Sequence, residues 1–184
     1  MNLFYEDLPT YVVVGDEVID IVTDFREYIR FYDMIRSDEP SEMKVQYILQ
    51  YFKQIPENIP EAIKALGEFF ALEKIQINNA SSNAQSPKKQ LYSFSKDFPF
   101  IYSAFKKDYG IDLIDIPYMH WWKFKMLFDG LDESNEVKKR IMYRGIDIGT
   151  IKDPDERKRI VKIQSAIALE ENQLTDYDIG DVFW

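Results

Sequence analysis

The spacing of apolar residues changes period several times along this chain, and each change marks an element. Tyr11-Val-Val-Val14 and Val18-Ile-Asp-Ile-Val22 are β-branched runs on either side of Gly15-Asp16-Glu17, which predicts a β-hairpin closed by a tight turn. Thr23 or Asp24 then supplies an N-cap. From Phe25 the spacing becomes helical, with Phe25, Tyr28, Ile29, Tyr32 and Ile35 on one stripe. Ser37 to Pro40 ends that helix. Ser41 opens the next, carrying Val45, Ile48, Leu49 and Phe52. Pro56 and Pro60 punctuate the chain before a third helix with Ile63, Leu66, Phe69, Phe70 and Ile75.

Residues 78–90 break the pattern. Asn-Asn-Ala-Ser-Ser-Asn-Ala-Gln-Ser-Pro-Lys-Lys-Gln has no apolar period and is built from linker residue types, so it reads as a mobile connection. It divides the chain into 1–77, a hairpin plus helices, and 91–184, a helical part; one domain with a long loop is equally compatible. The second part predicts an aromatic helix over about 97–109 ended by Gly110. Pro117, a favoured first helical residue, opens a Trp-rich helix that stops near Gly130. Ser134 caps a basic helix reaching about Arg144, and Asp153-Pro154 starts a last helix through Ile160, Ile163 and Ile167 to beyond Leu169. The fold class is mostly α: an N-terminal β-hairpin followed by a bundle of about six to seven helices.

The densest patch is Tyr118-Met-His-Trp-Trp-Lys-Phe-Lys-Met-Leu-Phe-Asp-Gly-Leu131, which holds the single histidine and two of the three tryptophans. Projected at ~100° per residue, Trp121, Phe124, Leu127, Phe128 and Leu131 share one stripe, with His120 at its edge. Tyr118, Met119, Trp122 and Met126 form a second stripe, and Lys123 and Lys125 separate the two. A helix apolar on two faces lies between neighbours or offers one face to a partner. Core packing of both stripes is one reading. The other makes Tyr118, Trp122 and Met126, with Lys123 and Lys125 beside them, candidates for partner binding, because Trp, Tyr and Met are enriched at interface hot spots.

Composition narrows the chemistry. The 184 residues are 46% hydrophobic and contain no cysteine, so a real core is available while disulfides, thiolate zinc sites and cysteine nucleophiles are excluded. No basic region followed by an apolar run opens the chain, and no apolar segment approaches membrane-spanning length, which predicts a cytosolic protein. A net charge of −9 argues against general nucleic-acid binding. The charge is uneven, however, with nine basic and five acidic side chains over 134–163, an asymmetry that suits self-association or a charged partner as well as a solvated helix face.

Catalytic readings fail for want of partners. His120 near neutrality would suit general base work, but no serine occurs between Ser103 and Ser134 and no Gly-x-Ser-x-Gly elbow is present. One histidine and no cysteine leave a metal only carboxylates. Asp176-x-Asp178-x-Gly180-Asp181 resembles the start of a calcium loop, but no glutamate follows at the required spacing, so it reads as an acidic turn. The segment from Gly145 to Lys152 lacks the Gly-Lys-Ser/Thr order of a phosphate loop. Asp112 and Asp115 are carboxylates at a helix approach rather than a hydrolase pair. The expectation is a non-enzyme with no catalytic, cofactor or metal residues.

Tyr118-Met-His-Trp-Trp-Lys-Phe, Leu127-Phe128-x-Gly130-Leu131 and the following Ile141-Met142-Tyr143-Arg144 resemble the signature of a family of tailed-phage proteins known after gene product fifteen of a siphophage of Gram-positive bacteria. Leu8-Pro9, the hairpin around Gly15, and Thr23-Asp24-Phe25-Arg26 entering a helix with Phe31 are similar to that family too. The resemblance implies a phage or prophage tail-morphogenesis protein encoded near the tape-measure gene. It further implies a tail assembly chaperone in the host cytoplasm, binding the tape measure protein and recruiting tail tube subunits. A structural tail or head-tail component is one alternative. An acidic inhibitor of a host nucleic-acid enzyme, suggested by the net charge, is another.

Overall fold

The computed structural model describes residues 3–72 and 90–169, and these form one antiparallel hairpin followed by seven α-helices and a single 3₁₀ turn. The chain is mostly helical, as the periodicity predicts. The expected linker at 78–90 (save Gln90), Ile75 and the 177–184 tail with its acidic turn lie outside the described residues. By packing, the described residues fall into two compact units: 3–72 with 118–125, and 90–117 with 126–169.

In the first unit, β1 (Tyr11–Val14) pairs with β2 (Glu17–Asp20), placing Val12 opposite Ile19 and Val14 opposite Glu17. The two-residue turn needs a residue at positive φ, and Gly15 supplies it at +58° without a Cβ penalty. Its N–H donates to Glu61 Oε1 at 3.0 Å, tying the turn to a later helix. Alternation along β1 buries Val12 and Val14 and exposes Tyr11 and Val13.

Helix α1 (Phe25–Ile35) begins at Asp24, whose carboxylate accepts the Arg26 N–H at 2.9 Å. Its buried stripe is Phe25, Tyr28, Phe31, Tyr32 and Ile35. Phe31 replaces the expected Ile29, which is only half-buried. The last turn of α1 carries no basic side chain of its own. Lys44 of α2 (Ser41–Leu49) fills that role: it is buried and donates from Nζ to Ile35 O at 3.1 Å, against the negative end of the helix. This contact takes Lys44 inward beside Ile48 and leaves Val45 and Leu49 half-covered, so α2 lacks the continuous apolar stripe predicted for it. Helix α3 (Ile59–Phe70) starts with Pro60 in its first turn and Asn58 as cap, and buries Ala62, Ile63, Leu66 and Phe69.

In the second unit, α4 (Phe98–Tyr109) ends at Gly110, which sits at φ +66° in the left-handed cap. Helix α5 (Trp121–Asp129) contributes residues 121–125 to the first unit and 126–129 to the second. It starts four residues after Pro117, because residues 119–121 are held by pairing with residues 23–25. Helix α6 (Glu136–Gly145) begins after Asn135, not from a Ser134 cap. The Asn135 amide instead donates to Asp108 Oδ2 at 2.6 Å and its oxygen accepts from Lys107 at 3.2 Å. Helix α7 (Pro154–Ala166) is capped by Asp153, which accepts from the N–H groups of Asp155 and Glu156.

The second unit is organised around one buried ion pair. Arg144 Nη1 and Nη2 donate to Asp97 Oδ2 and Oδ1 at 2.7 and 2.9 Å, with both side chains almost fully covered. Nη1 also donates to Leu91 O at 3.0 Å, and Nε donates to Ile167 O at 2.8 Å. Asp97 Oδ2 accepts the Ser93 N–H at 3.0 Å. One guanidinium thus joins the start of α4, the strand-like segment before it, the end of α6 and the end of α7. Arg144→Met strands a buried carboxylate and is expected to cost about 3–5 kcal/mol, while Arg144→Met with Asp97→Leu recovers most of that loss. Urea unfolding followed by far-UV circular dichroism measures both, and equal instability of the two variants would contradict the account.

Candidate functional site

The segment entering α5 is locked from both sides. Phe25 N–H donates to Met119 O at 2.9 Å and Trp121 N–H donates to Thr23 O at 2.7 Å, so residues 23–25 and 119–121 form a short antiparallel bridge. The hydroxyls of Thr23 and Tyr118 meet at 2.7 Å beside it. The two indoles that follow turn to the end of α3. Trp121 Nε1 donates to Phe70 O at 2.9 Å and Trp122 Nε1 donates to Phe69 O at 2.8 Å. The last carbonyls of a helix have no partner within it, and here two consecutive side chains supply N–H donors. The rings add packing: Trp121 stacks on Phe70 with centroids 5.3 Å apart and planes 3° off parallel, and also stacks on Tyr28 and Phe124.

His120 is 4% exposed and engaged on both ring nitrogens. Its Nδ1 accepts the Trp122 N–H at 3.0 Å, capping α5, which leaves the ring proton on Nε2 for donation to Pro9 O at 2.9 Å. Burial pushes its pKa below the ordinary value, with the hydrogen bond to Pro9 acting weakly the other way. Among these partners there is no nucleophile and no carboxylate, so the arrangement builds structure.

The five sequence-derived contact residues differ in exposure. Trp122 is fully buried, since its ring lies against Phe69 and its N–H is taken by Phe69 O. Tyr118 and Met126 remain 51% and 38% exposed, Lys123 is exposed and Lys125 is half-covered. The projection treats residues 118–120 as helical, whereas they precede α5, and that difference separates Tyr118 from the stripe assigned to it.

Asp112 is likewise structural. Its Oδ2 accepts from Tyr102 at 2.9 Å and Lys106 at 3.1 Å, and its Oδ1 accepts the Ile114 and Asp115 N–H groups. These donors, Lys106 first, hold its carboxyl down at about 2, so it stays ionised and does not serve as a general acid. Among the described residues no three His, Cys, Asp or Glu side chains converge on a metal position, and no helix is long and apolar enough to cross a membrane.

Each unit carries a concavity among the described residues. In the first unit a small cavity of about 160 Å³ lies between Pro9 and β1 on one side and Ala65, Glu68 and Phe69 of α3 on the other, with Trp122 at its base. In the second unit a groove of about 610 Å³ is lined by Leu91, Ile146 and Ile148 together with Arg144, Asp147 and Gln164. Gln164 Nε2 donates to Tyr143 O and Ile146 O at 2.7 and 2.8 Å, which fixes the end of α6 beside the groove. Sequence reasoning missed Ile146 and Ile148. The signal available was an Ile-Asp-Ile triplet between Gly145 and Gly149, too short to show a period and running from the end of α6 into the 3₁₀ turn.

With this arrangement in view, the chain matches the bacteriophage Gp15 protein family over residues 4–169. It belongs to that family, and is therefore a bacteriophage protein. No curated protein and no solved structure matches it.

Replacing Trp122 by Ala removes a fully buried indole and leaves Phe69 O with the Leu72 N–H alone. A loss of about 3–5 kcal/mol is expected, measured by thermal unfolding. A variant as stable as the parent would return Trp122 to the set of surface contact residues.

Proposed function

We propose that this protein is a non-catalytic helper of phage tail assembly that acts in the host cytoplasm, binds the tape measure protein and brings tail tube subunits to it. The observation that carries this reading is membership of the bacteriophage Gp15 protein family across nearly the whole described chain. The surface supports it. A chain that shields a long helical partner needs an apolar groove on a charged body, because apolar helix-in-groove contact supplies affinity while net charge keeps the complex dispersed. The groove with Leu91, Ile146 and Ile148 on its walls is of the size that holds side chains of a docked segment. The net charge of −9 gives the dispersing term. The exposed Tyr118, Met126 and Lys123, with half-covered Lys125, are further contact candidates, and Trp122 supports the fold beneath them.

Co-expression with the tape measure protein of the same phage tests this directly. The parent is expected to co-purify with it. Ile146→Glu with Ile148→Glu is expected to reduce recovery at least ~10-fold, the equivalent of about 1.4 kcal/mol, while circular dichroism stays unchanged. Tyr118→Ser and Met126→Gln, made singly, are expected to give smaller losses. Mass spectrometry of purified virions is expected to find the protein absent. Its presence at stoichiometric levels would favour a structural tail component instead.

A further inference from the structure

The two partners of His120 are the two sides of the cavity in the first unit. Pro9, whose carbonyl accepts from Nε2, lies on the wall toward β1, and Trp122, whose N–H donates to Nδ1, sits at the base. A neutral imidazole makes both bonds at once, accepting at one nitrogen and donating at the other. An imidazolium donates at both, so protonation converts the Nδ1 contact into two opposed donors. It also sets a positive charge at the N-terminus of α5, where the helix dipole opposes it.

We propose that His120 is a pH-operated latch that holds the Pro9 segment and the first turn of α5 together in its neutral form and releases them on protonation. Release frees the Trp122 N–H, while Nε2–H keeps its bond to Pro9 O, so the ring no longer joins the Pro9 segment to the first turn of α5.

Glu68 of α3 and Tyr11 of β1 line the cavity with the two partners. Asp24, paired through its backbone to His120, is engaged by Arg26 through both its N–H and its guanidinium. Asp7 lies two residues before Pro9, and Lys123 on α5 is exposed. The rings in contact with the imidazole, Phe69 and Trp122, meet it near-perpendicular and provide no charge.

The sign follows from the depressed pKa. The folded chain binds the proton less well than the unfolded chain, so the stabilising effect is complete above the ordinary value of about 6.5 and is lost as pH falls through the lower folded value. Between the two values each pH unit weakens the latched state about tenfold, and below the lower one the loss is complete.

Hydrogen exchange of the intact chain, corrected for the intrinsic pH dependence, tests the latch. The Trp122 amide is expected to exchange about tenfold faster at pH 5 than at pH 7 relative to amides in the middle of α3. His120→Asn retains one acceptor and one donor without titrating, and is expected to remove that difference. Should the variant fail to fold, an NMR titration of the His120 ring in the parent replaces it. Equal relative exchange at the two pH values, or a ring that titrates without any change in the Trp122 amide, would overturn the proposal.

Discussion

The end of α3 sets the terms for the first unit. A helix cannot satisfy its own last carbonyls, and burying them without donors costs about 1–3 kcal/mol each. Here the donors come from the protein: the Leu72 N–H reaches Phe69 O at 3.1 Å, and the two indoles supply the rest. Trp121 and Trp122 are well suited, since an indole brings a single N–H on a large apolar body. Their bonds to Phe70 O and Phe69 O fix where α5 starts, and the bridge between residues 23–25 and 119–121 follows from the same placement. The aromatic core with Phe25, Tyr28 and Phe124 then closes around them.

Burial in this core holds its hydroxyls neutral. Tyr28 donates to Val22 O at 2.8 Å and Tyr51 to Glu27 O at 2.7 Å, and desolvation raises both pKa values well above the ordinary tyrosine range. The second unit solves a comparable problem with charge. Arg144 serves a carboxylate and two carbonyls from separate segments, a task that needs the planar five-donor fork of arginine and that lysine cannot perform. One unit is thus joined by indole N–H groups and the other by a guanidinium.

Local signals were legible in the sequence: the Gly15 turn, the Asp24 and Asp153 caps, Pro60 in the first turn of α3 and Gly110 at the end of α4 all rest on backbone rules that act within a few residues. The family was legible too, from the Trp-Trp block and the Tyr143-Arg144 pair. What escaped was long-range. Nothing local announces that Lys44 will turn inward to the end of α1, that residues 118–120 will precede α5, or that Trp122 will spend its N–H on Phe69 O. Each is decided by a polar atom at least nine residues away that needs a partner. The burial of Trp122 was not legible for that reason, because a helical projection knows the angle of a side chain but not what its polar atom meets.

The buried position of Trp121, Trp122 and Arg144 has a consequence for how such a protein can change over time. In all three the polar atoms are consumed by partners inside the chain. Exposed positions such as Tyr118, Lys123, Met126 and Met142 carry none of these internal duties apart from the Thr23 contact of Tyr118. Substitution at exposed positions of this kind leaves the internal hydrogen bonds of Trp121, Trp122 and Arg144 in place, so the surface can change while the fold stays as it is.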